Sequence, residues 1–307
     1  MKSKNILITG GMGFIGKHLV RNLKGNIDIV DNLSSCKYED LNVNFYKEDF
    51  RYFKPKKKYD EIYHLAGPVG PVGVLRYPGI MGREIIDLLD RAIEIAIKDN
   101  AKLMFISTSE VYGKNPLYDQ PEDIEKIVPP EITVRLEYGV AKLLGEIMLY
   151  NRNRHNGFKY NVIRPFNIIG TGQNPDLGFV VPRFINQALK DKPITVYGNG
   201  TYKRAFTNVK DIVEAMILIM ESNISGEIFN IGNPDSITSI GQLARMIKEM
   251  TFSKSEIRLV DPKKLWGNDF AEAWNKIPNI DKAKGLVGWS PKYSLEETLK
   301  ECIKELK

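Results

Sequence analysis

The segment from Asn5 to Asp31 constrains the fold more than any other part of the chain. Asn5-Ile6-Leu7-Ile8-Thr9 is a short apolar run, Gly10-Gly11-Met12-Gly13-Phe14-Ile15-Gly16 follows at once, and Lys17 to Leu23 has helical spacing of its apolar positions. The reading is strand, glycine-rich turn, helix. Gly11, Gly13 and Gly16 meet the pattern G-x-G-x-x-G, while Gly10, Gly13 and Gly16 give the related G-x-x-G-x-x-G spacing. Glycines at these points permit a tight turn and let a pyrophosphate approach the helix N-terminus, whose free N–H groups and dipole favour an anion. Asn26-Ile27-Asp28-Ile29-Val30 then reads as a second strand ending on Asp31. A carboxylate there can bind the adenosine ribose hydroxyls of NAD and would repel the extra phosphate of NADP. The alternative for Asp31 is a plain turn aspartate. Strand, glycines, helix, strand and acid in one register favour dinucleotide binding.

Beyond Asp31 the chain alternates strand and helix. Val43-Asn44-Phe45-Tyr46 leading to Asp49-Phe50 reads as a third strand whose end could meet the adenine, and Ile62 to Ala66 as a fourth. Gly67-Pro68-Val69-Gly70-Pro71-Val72-Gly73 breaks regular structure at the carboxyl end of that fourth strand, the edge where doubly wound sheets hold ligands. A helix is expected from Arg83 to Lys98, and Lys102 to Ile106 is the next strand, which delivers Ser107, Thr108, Ser109 and Glu110 to the same edge. Pro116 to Pro130 is a polar, Pro-bearing excursion. Arg135 to Asn151 is a helix on which Tyr138 and Lys142 share one face, one turn apart. Most such pairs are solvated neighbours, but a Tyr beside a fixed cation can act as a base near neutral pH. Asn161 to Arg164 is a further strand, ending in Pro165-Phe166-Asn167 at the ligand edge.

This alternation specifies an α/β fold with a doubly wound parallel sheet, a Rossmann domain over residues 1–170. After Gly170 short elements punctuated by Gly, Asn and Pro read as a smaller C-terminal α/β lobe, 171–307, from which a segment of about 207–235 returns to the main domain. Its expected elements are helices at Val181 to Leu189, Asp211 to Met220, Ile240 to Met250 and Leu295 to Leu306, and strands at Ile194 to Tyr197 and Ile228 to Ile231.

Composition narrows the class without choosing the chemistry. The 307 residues are 43% hydrophobic and 27% charged, which is globular and neither fibrous nor disordered. The two cysteines, Cys36 and Cys302, stand far apart without ligand spacing, so neither a disulfide framework nor a zinc site is expected, and a reducing cytoplasm fits. Met1-Lys2-Ser3-Lys4 runs straight into the first strand without the pattern of a signal peptide, and no apolar run is long enough for a bilayer, so a soluble protein is expected. The net charge of +6 includes Lys54, Lys56, Lys57 and Lys58 around Pro55. These lack interleaved aromatics and read as a solvated loop rather than a nucleic-acid surface, while a modest positive excess suits an anionic small substrate. His18, His64 and His155 have no nucleophile or second ligand spaced around them, and no metal is expected.

Seven motifs occur in one order: Thr9 to Gly16, Asp31-Asn32-Leu33-Ser34-Ser35, His64-Leu65-Ala66, Ser107-Thr108-Ser109-Glu110-Val111-Tyr112-Gly113, Tyr138-x-x-x-Lys142, Arg164-Pro165-Phe166-Asn167 and Gly288-Trp289-Ser290-Pro291. Together they make the chain resemble, over nearly its whole length, the extended short-chain dehydrogenase/reductase family of nucleotide-sugar epimerases, dehydratases and decarboxylases. Ser107 to Gly113, and Val196-Tyr197-Gly198-Asn199-Gly200 through Arg204-Ala205-Phe206, are most similar to the UDP-glucuronate decarboxylases. Departures lie in the sugar pocket. Gly67-Pro68-Val69-Gly70-Pro71 stands for Cys-Pro-Ala-Ser-Pro, Ile85, Leu88 and Leu89 for Asn-x-x-Gly-Thr, Phe179 for Arg, and Lys276-Ile277-Pro278-Asn279 for Arg-x-Pro-Asp. A variant uronate or acetamido sugar is compatible with them.

The resemblance implies bound NAD, held by Gly10, Gly13, Phe14, Ile15, Gly16, Asp31, Asn32, Ser34, Asp49, Phe50, Leu65, Ala66, Tyr138, Lys142 and Pro165. It implies a UDP-sugar held by Pro71, Ser109, Asn167, Val181, Tyr197, Arg204 and Lys276, and a homodimer built on the helices around 84–98 and 135–151. Tyr138 would take the proton of the sugar 4-hydroxyl, Lys142 would hold the ribose and lower the phenol's pKa, and Thr108 would bond the same oxygen. A uronate oxidised at carbon 4 is a β-keto acid and loses carbon dioxide. Glu110 and Arg204 would act at the carbon 5 and 6 end, although Glu110 could instead cap its loop and Arg204 could serve only the diphosphate. A 4-epimerase shares every step up to the ketone. A 4,6-dehydratase or a non-catalytic relative are the more distant readings.

Overall fold

The computed structural model describes residues 3–68, 70, 77–130, 132–261 and 275–307. Strands β1 (Asn5–Thr9), β2 (Asn26–Val30), β3 (Asn44–Tyr46), β4 (Glu61–His64), β5 (Lys102–Ile106) and β6 (Tyr160–Pro165) alternate with helices α1 (Phe14–Asn22), α2 (Met81–Asp99) and α3 (Val134–Asn156). After β7 (Ile168–Ile169) come α4 (Val180–Leu189), β8 (Ile194–Tyr197), β9 (Lys203–Ala205), β10 (Thr207–Asn208), α5 (Val209–Glu221), β11 (Glu227–Ile231), β12 (Ile237–Ser239), α6 (Ile240–Met250), β13 (Ile257–Val260), α7 (Asp281–Val287) and α8 (Leu295–Leu306).

Seven strands form one sheet in the order β11-β6-β5-β4-β1-β2-β3, and every neighbouring pair is parallel. A parallel sheet is covered on both faces, which is why its strands are continuous apolar runs rather than alternating ones. Successive side chains still point to opposite faces. Ile6 and Ile8 join Ile29, Met104 and Ile163 under α1 and α5, whereas Leu7 joins Val30, Ile62, Phe105 and Val162 under α2 and α3. The chain order of the strands reverses between β1 and β4, so a crevice opens beyond their carboxyl ends. A third core, with Val181, Phe184, Ile194, Val196, Leu243 and Leu299, lies in the C-terminal part of the chain.

The structure alters several expected boundaries. Helix α3 runs on to Asn156, through Arg152-Asn153-Arg154-His155, and stops at Gly157 with φ +69°. Basic groups in a last turn sit well against the negative end of the helix dipole, so that polar run extends the helix instead of ending it. The third strand ends at Tyr46, and Asp49 caps a short 3-10 turn, Phe50–Tyr52. Short strands β12 and β13, which pair with β9 and β8, lack the strong apolar pattern that would announce them. Trp289 of the Gly-Trp-Ser-Pro motif is buried, and its indole donates to the Asp211 carbonyl at 3.0 Å, a purely structural contact. Among the described residues no helix is long and apolar enough to cross a membrane.

Candidate active site

The crevice between β1 and β4 is built from close backbone approaches. Gly10 has φ +70°, and a methyl group on it would stand 2.8 Å from the Ala66 amide nitrogen, so only glycine lets the two loops meet. A methyl on Gly16 would fall 2.6 Å from the Gly11 backbone, which is what brings α1 against the turn. Gly13 is the N-cap of α1 and offers no side chain to its amides, while no acid stands in the first turn. By contrast Thr133, Asn208, Ser239 and Ser294 cap α3, α5, α6 and α8 with their side chains. The amides of Phe14, Ile15 and Gly16 therefore open an electropositive helix end into the crevice, which fits a dinucleotide pyrophosphate.

Asp31 ends the neighbouring strand and is nearly buried. One carboxylate oxygen accepts from the Met12 amide at 3.0 Å and the other from the Leu33 amide at 2.8 Å, tying the glycine turn to the loop after β2. The Cys36 thiol also donates to the oxygen that Leu33 bonds, at 3.7 Å, so the oxygen facing Met12 is the one with a second lone pair with which a ribose hydroxyl could bond. Asn32 folds that loop by accepting from the Ser34 amide at 3.0 Å. Asp49 is engaged by Arg51, whose Nη2 lies 2.5 Å from it, and the Phe50 ring is packed into the core, so only backbone near this turn can face an adenine. On β4, His64 Nδ1 lies 2.8 Å from the Thr9 hydroxyl, which accepts from the Ala66 amide at 3.2 Å. The Leu65 amide donates to the Thr9 carbonyl at 3.0 Å. Burial, helped by the charge of Lys142, pushes His64 down to about 3, so this imidazole is a neutral strut of the crevice wall.

Thr108, Tyr138 and Lys142 meet across the ends of β5 and α3. Thr133 caps α3 by accepting from the Leu136 amide at 3.2 Å, which sets the helical phase of Tyr138. Gly139 has the Glu110 carbonyl against it, 3.1 Å from where a methyl would stand, so the helix lies directly on the turn that follows Thr108. The Thr108 hydroxyl accepts from the Glu110 amide at 3.2 Å and lies close enough to the Tyr138 phenol to influence it. Burial and then the negative charge of Glu110 push that phenol up to about 12, and Thr108 opposes them. The expected lowering by Lys142 is not what this geometry gives. Its ammonium donates to the Ile106 carbonyl at 2.7 Å and lies 4.6 Å from the centre of the Phe105 ring, drawn back toward the sheet. Burial lowers Lys142 itself to about 8, with Glu146, one turn further on, working in the other direction.

Glu110 is the hub of a charged cluster. Arg135 Nη1 donates to its Oε1 at 3.0 Å, and Lys276 Nζ, almost fully buried, lies 2.7 Å from its Oε2. Arg204 pairs with Lys276 through backbone bridging and donates to the Lys203 carbonyl at 2.8 Å. Burial opposes the charge on Glu110, yet Lys276, Arg135 and Arg204 hold its carboxyl down at about 2. Glu110 is therefore an acceptor and not a proton donor, held among cationic side chains that come from three separate parts of the chain.

The remaining expected residues divide by position. Ser109 is buried in the turn with Glu110. Pro165 ends β6, and Asn167, at φ +29°, donates from its amide to the Ala205 carbonyl at 3.2 Å. Val181 lies in the first turn of α4, whose N-terminus likewise has no side-chain cap. Tyr197 ends β8 with the Arg183 guanidinium 4.1 Å from its ring centre. Pro71 lies outside the described residues. Sequence reasoning missed Arg135, although its place one turn before Tyr138 was a signal. It also missed the buried pair of Glu146 and Arg164, in which Nε donates at 2.9 Å and Nη2 at 2.6 Å. No group of His, Cys, Asp and Glu that could hold a metal occurs among the described residues.

The chain is similar to known proteins over nearly its whole length. UDP-glucuronic acid decarboxylase 3 of Arabidopsis thaliana is 35% identical over 96% of this chain and 86% of its own. The UDP-N-acetyl-alpha-D-glucosaminuronate decarboxylase of Bacillus cytotoxicus is 34% identical over 98% of this chain and 97% of its own. The crystal structure of UDP-glucose 4-epimerase with UDP-glucose from Thermotoga maritima superposes with a TM-score of 0.86, at 33% identity and 98% coverage of both chains. The family model described as NAD dependent epimerase/dehydratase matches residues 6–232. A Rossmann crevice with an uncapped helix end, Thr108 beside Tyr138 and a buried Lys142 thus stand in a chain that belongs to the NAD-dependent epimerase/dehydratase family.

Proposed function

We propose that the protein uses NAD to decarboxylate a UDP-uronate, UDP-glucuronate or its 2-acetamido counterpart, to the corresponding UDP-pentose. The observation that carries this reading is the cationic cluster of Arg135, Lys276 and Arg204 around Glu110, on the turn next to the Thr108 and Tyr138 pair. Guanidinium and ammonium groups of this kind are suited to bond a carboxylate on carbon 6 of the sugar. Both curated relatives are named as decarboxylases of such acids.

The residues divide the work as follows. Gly10, Gly13, Gly16, the α1 amides and Asp31 would hold NAD, which would supply reversible hydride acceptance at carbon 4 of the sugar. Tyr138 takes the proton of the 4-hydroxyl, with Thr108 beside the phenol to steady it. A phenol as high as about 12 needs a positive field to serve as base, and the oxidised nicotinamide supplies one when bound. Lys142 fixes the floor of the site through Ile106. The 4-ketone makes the uronate a β-keto acid, so the electrons of the bond to carbon 6 pass into the carbonyl as carbon dioxide leaves. Glu110, held ionised, orients that end of the sugar, Lys276 and Arg204 pair with its anionic oxygens, and a proton then reaches carbon 5. Asn167, near the end of the Rossmann domain, and Val181 and Tyr197, in the lobe we assign to 171–307, belong to the nucleotide side.

We also propose a homodimer. Val140, Leu144 and Ile147 are 43%, 44% and 48% exposed along one stripe of α3, a face that a second copy would cover. The two cysteines carry no disulfide, which supports a cytoplasmic location. The test of function is mass spectrometry of products from UDP-glucuronate and UDP-N-acetylglucosaminuronate. Loss of carbon dioxide from one of them is expected, whereas UDP-galacturonate without that loss would make the protein a 4-epimerase.

A further inference from the structure

We propose that Arg135 is a positioning residue, one that holds the Glu110 carboxylate between α3 and Lys276 and through it governs how readily Tyr138 accepts a proton. Three features place it. The Thr133 cap starts α3 just ahead of it, the helical repeat puts it on the same face as Tyr138, and Gly139 lets the helix lie on the Glu110 turn. From there Arg135 Nη1 reaches Glu110 Oε1 at 3.0 Å, while Lys276 holds the other oxygen at 2.7 Å. The carboxylate is fixed from two sides, and its rotation is set by the two cations rather than by its own turn.

This geometry has an electrostatic consequence at the base. The described charged groups that face Tyr138 and Glu110 are Lys142 and Arg135 on α3, Lys276 on the segment before α7, and Arg204 on β9. Lys142 is turned to the Ile106 carbonyl, so the charge that acts on the phenol is that of Glu110, and it opposes ionisation. Arg135 offsets that charge on the side of the carboxylate nearest its own helix. Taking Arg135 away leaves the anion less compensated and harder on the phenol. Taking Glu110 away relieves the phenol and removes the carboxylate through which Arg135 is proposed to act on it.

The proposal rests on Tyr138 as the base, and its test reads the phenol directly, so it can fail while the decarboxylation assay still succeeds. The NAD-bound wild type and the variants Arg135→Met, Arg135→Lys, Glu110→Gln and Glu110→Gln/Arg135→Met are titrated by phenolate absorbance. Each is measured against the same protein carrying Tyr138→Phe, and the acid limb of turnover is recorded alongside. Arg135→Met is expected to move the Tyr138 titration upward by about one unit, Glu110→Gln to move it downward, and Arg135→Lys to stay near wild type. The double variant should titrate with Glu110→Gln alone. Arg135 is a third exposed on its side chain, so the Arg135 variants should fold. A wild-type titration in Arg135→Met would overturn the proposal, as would an upward shift of equal size with Glu110 already removed.

Discussion

Replacement of Glu146 by Gln tests how the catalytic helix is anchored to the sheet. Glu146 and Arg164 are each almost wholly buried, with side chains 3% and 2% exposed. Arg164 gives Glu146 two parallel bonds, at 2.9 and 2.6 Å, and sends Nη1 to the Tyr112 hydroxyl at 2.9 Å and the Glu122 carbonyl at 2.8 Å. Gln keeps the shape but removes the charge, stranding the guanidinium, and breaking one side of a buried pair costs about 3–5 kcal/mol. That is a large part of a typical total stability of about 5–15 kcal/mol. A second effect follows on the same helix. Glu146 works to raise Lys142, which burial has brought to about 8, so its loss sends the ammonium lower and enlarges the neutral fraction at neutral pH. Urea unfolding should show the stability loss, Glu146→Gln/Arg164→Met should recover part of it, and the basic limb of turnover in Glu146→Gln should move to lower pH. An unchanged urea midpoint together with an unmoved basic limb would refute the reasoning.

Further outcomes follow from the same geometry. Lys142 is depressed from 10.5 to about 8 in the folded chain, so between those values the unfolded chain binds more protons and stability rises with pH. The rise is on the order of 3 kcal/mol, fully present above the upper value and lost as pH falls through the lower one, and Lys142→Met should flatten it in urea titrations across that range. Gly10→Ala should weaken NAD binding about tenfold or more, because φ +70° and the Ala66 amide 2.8 Å away both resist a methyl; calorimetric titration checks it, and wild-type affinity would contradict it. Leu144→Arg, on the exposed stripe of α3, should turn a dimer into a monomer in light scattering. A wild type already monomeric would remove the proposed interface.

Much of the site was legible because its elements are local. The glycines from Gly10 to Gly16, the acid at Asp31 and the pair of Tyr138 and Lys142 are fixed by spacing along one strand, one turn or one helix, and a helix or strand converts spacing directly into direction. Helices α6 and α8 were readable to their ends from the helical spacing of their apolar residues, and the structure adds a capping box at the start of each. The extension of α3 past Asn151 was not readable, because five polar residues resemble a loop until Gly157 terminates the helix in a left-handed turn.

The sequence by itself determined the class of the molecule: a parallel α/β sheet, a dinucleotide crevice at its switch point, and a tyrosine and lysine delivered to it. Only the tertiary structure decided the charges. It turned Lys142 away toward Ile106, made His64 a neutral strut, and gathered Arg135, Lys276 and Arg204 around Glu110 from three separate parts of the chain. The physical reason is that charge energetics depend on burial and on through-space distance. Periodicity encodes neither for groups far apart in the chain, and so the direct contacts of Arg135 and Lys276 with Glu110 became visible only once β5, α3 and the segment at Lys276 were packed together.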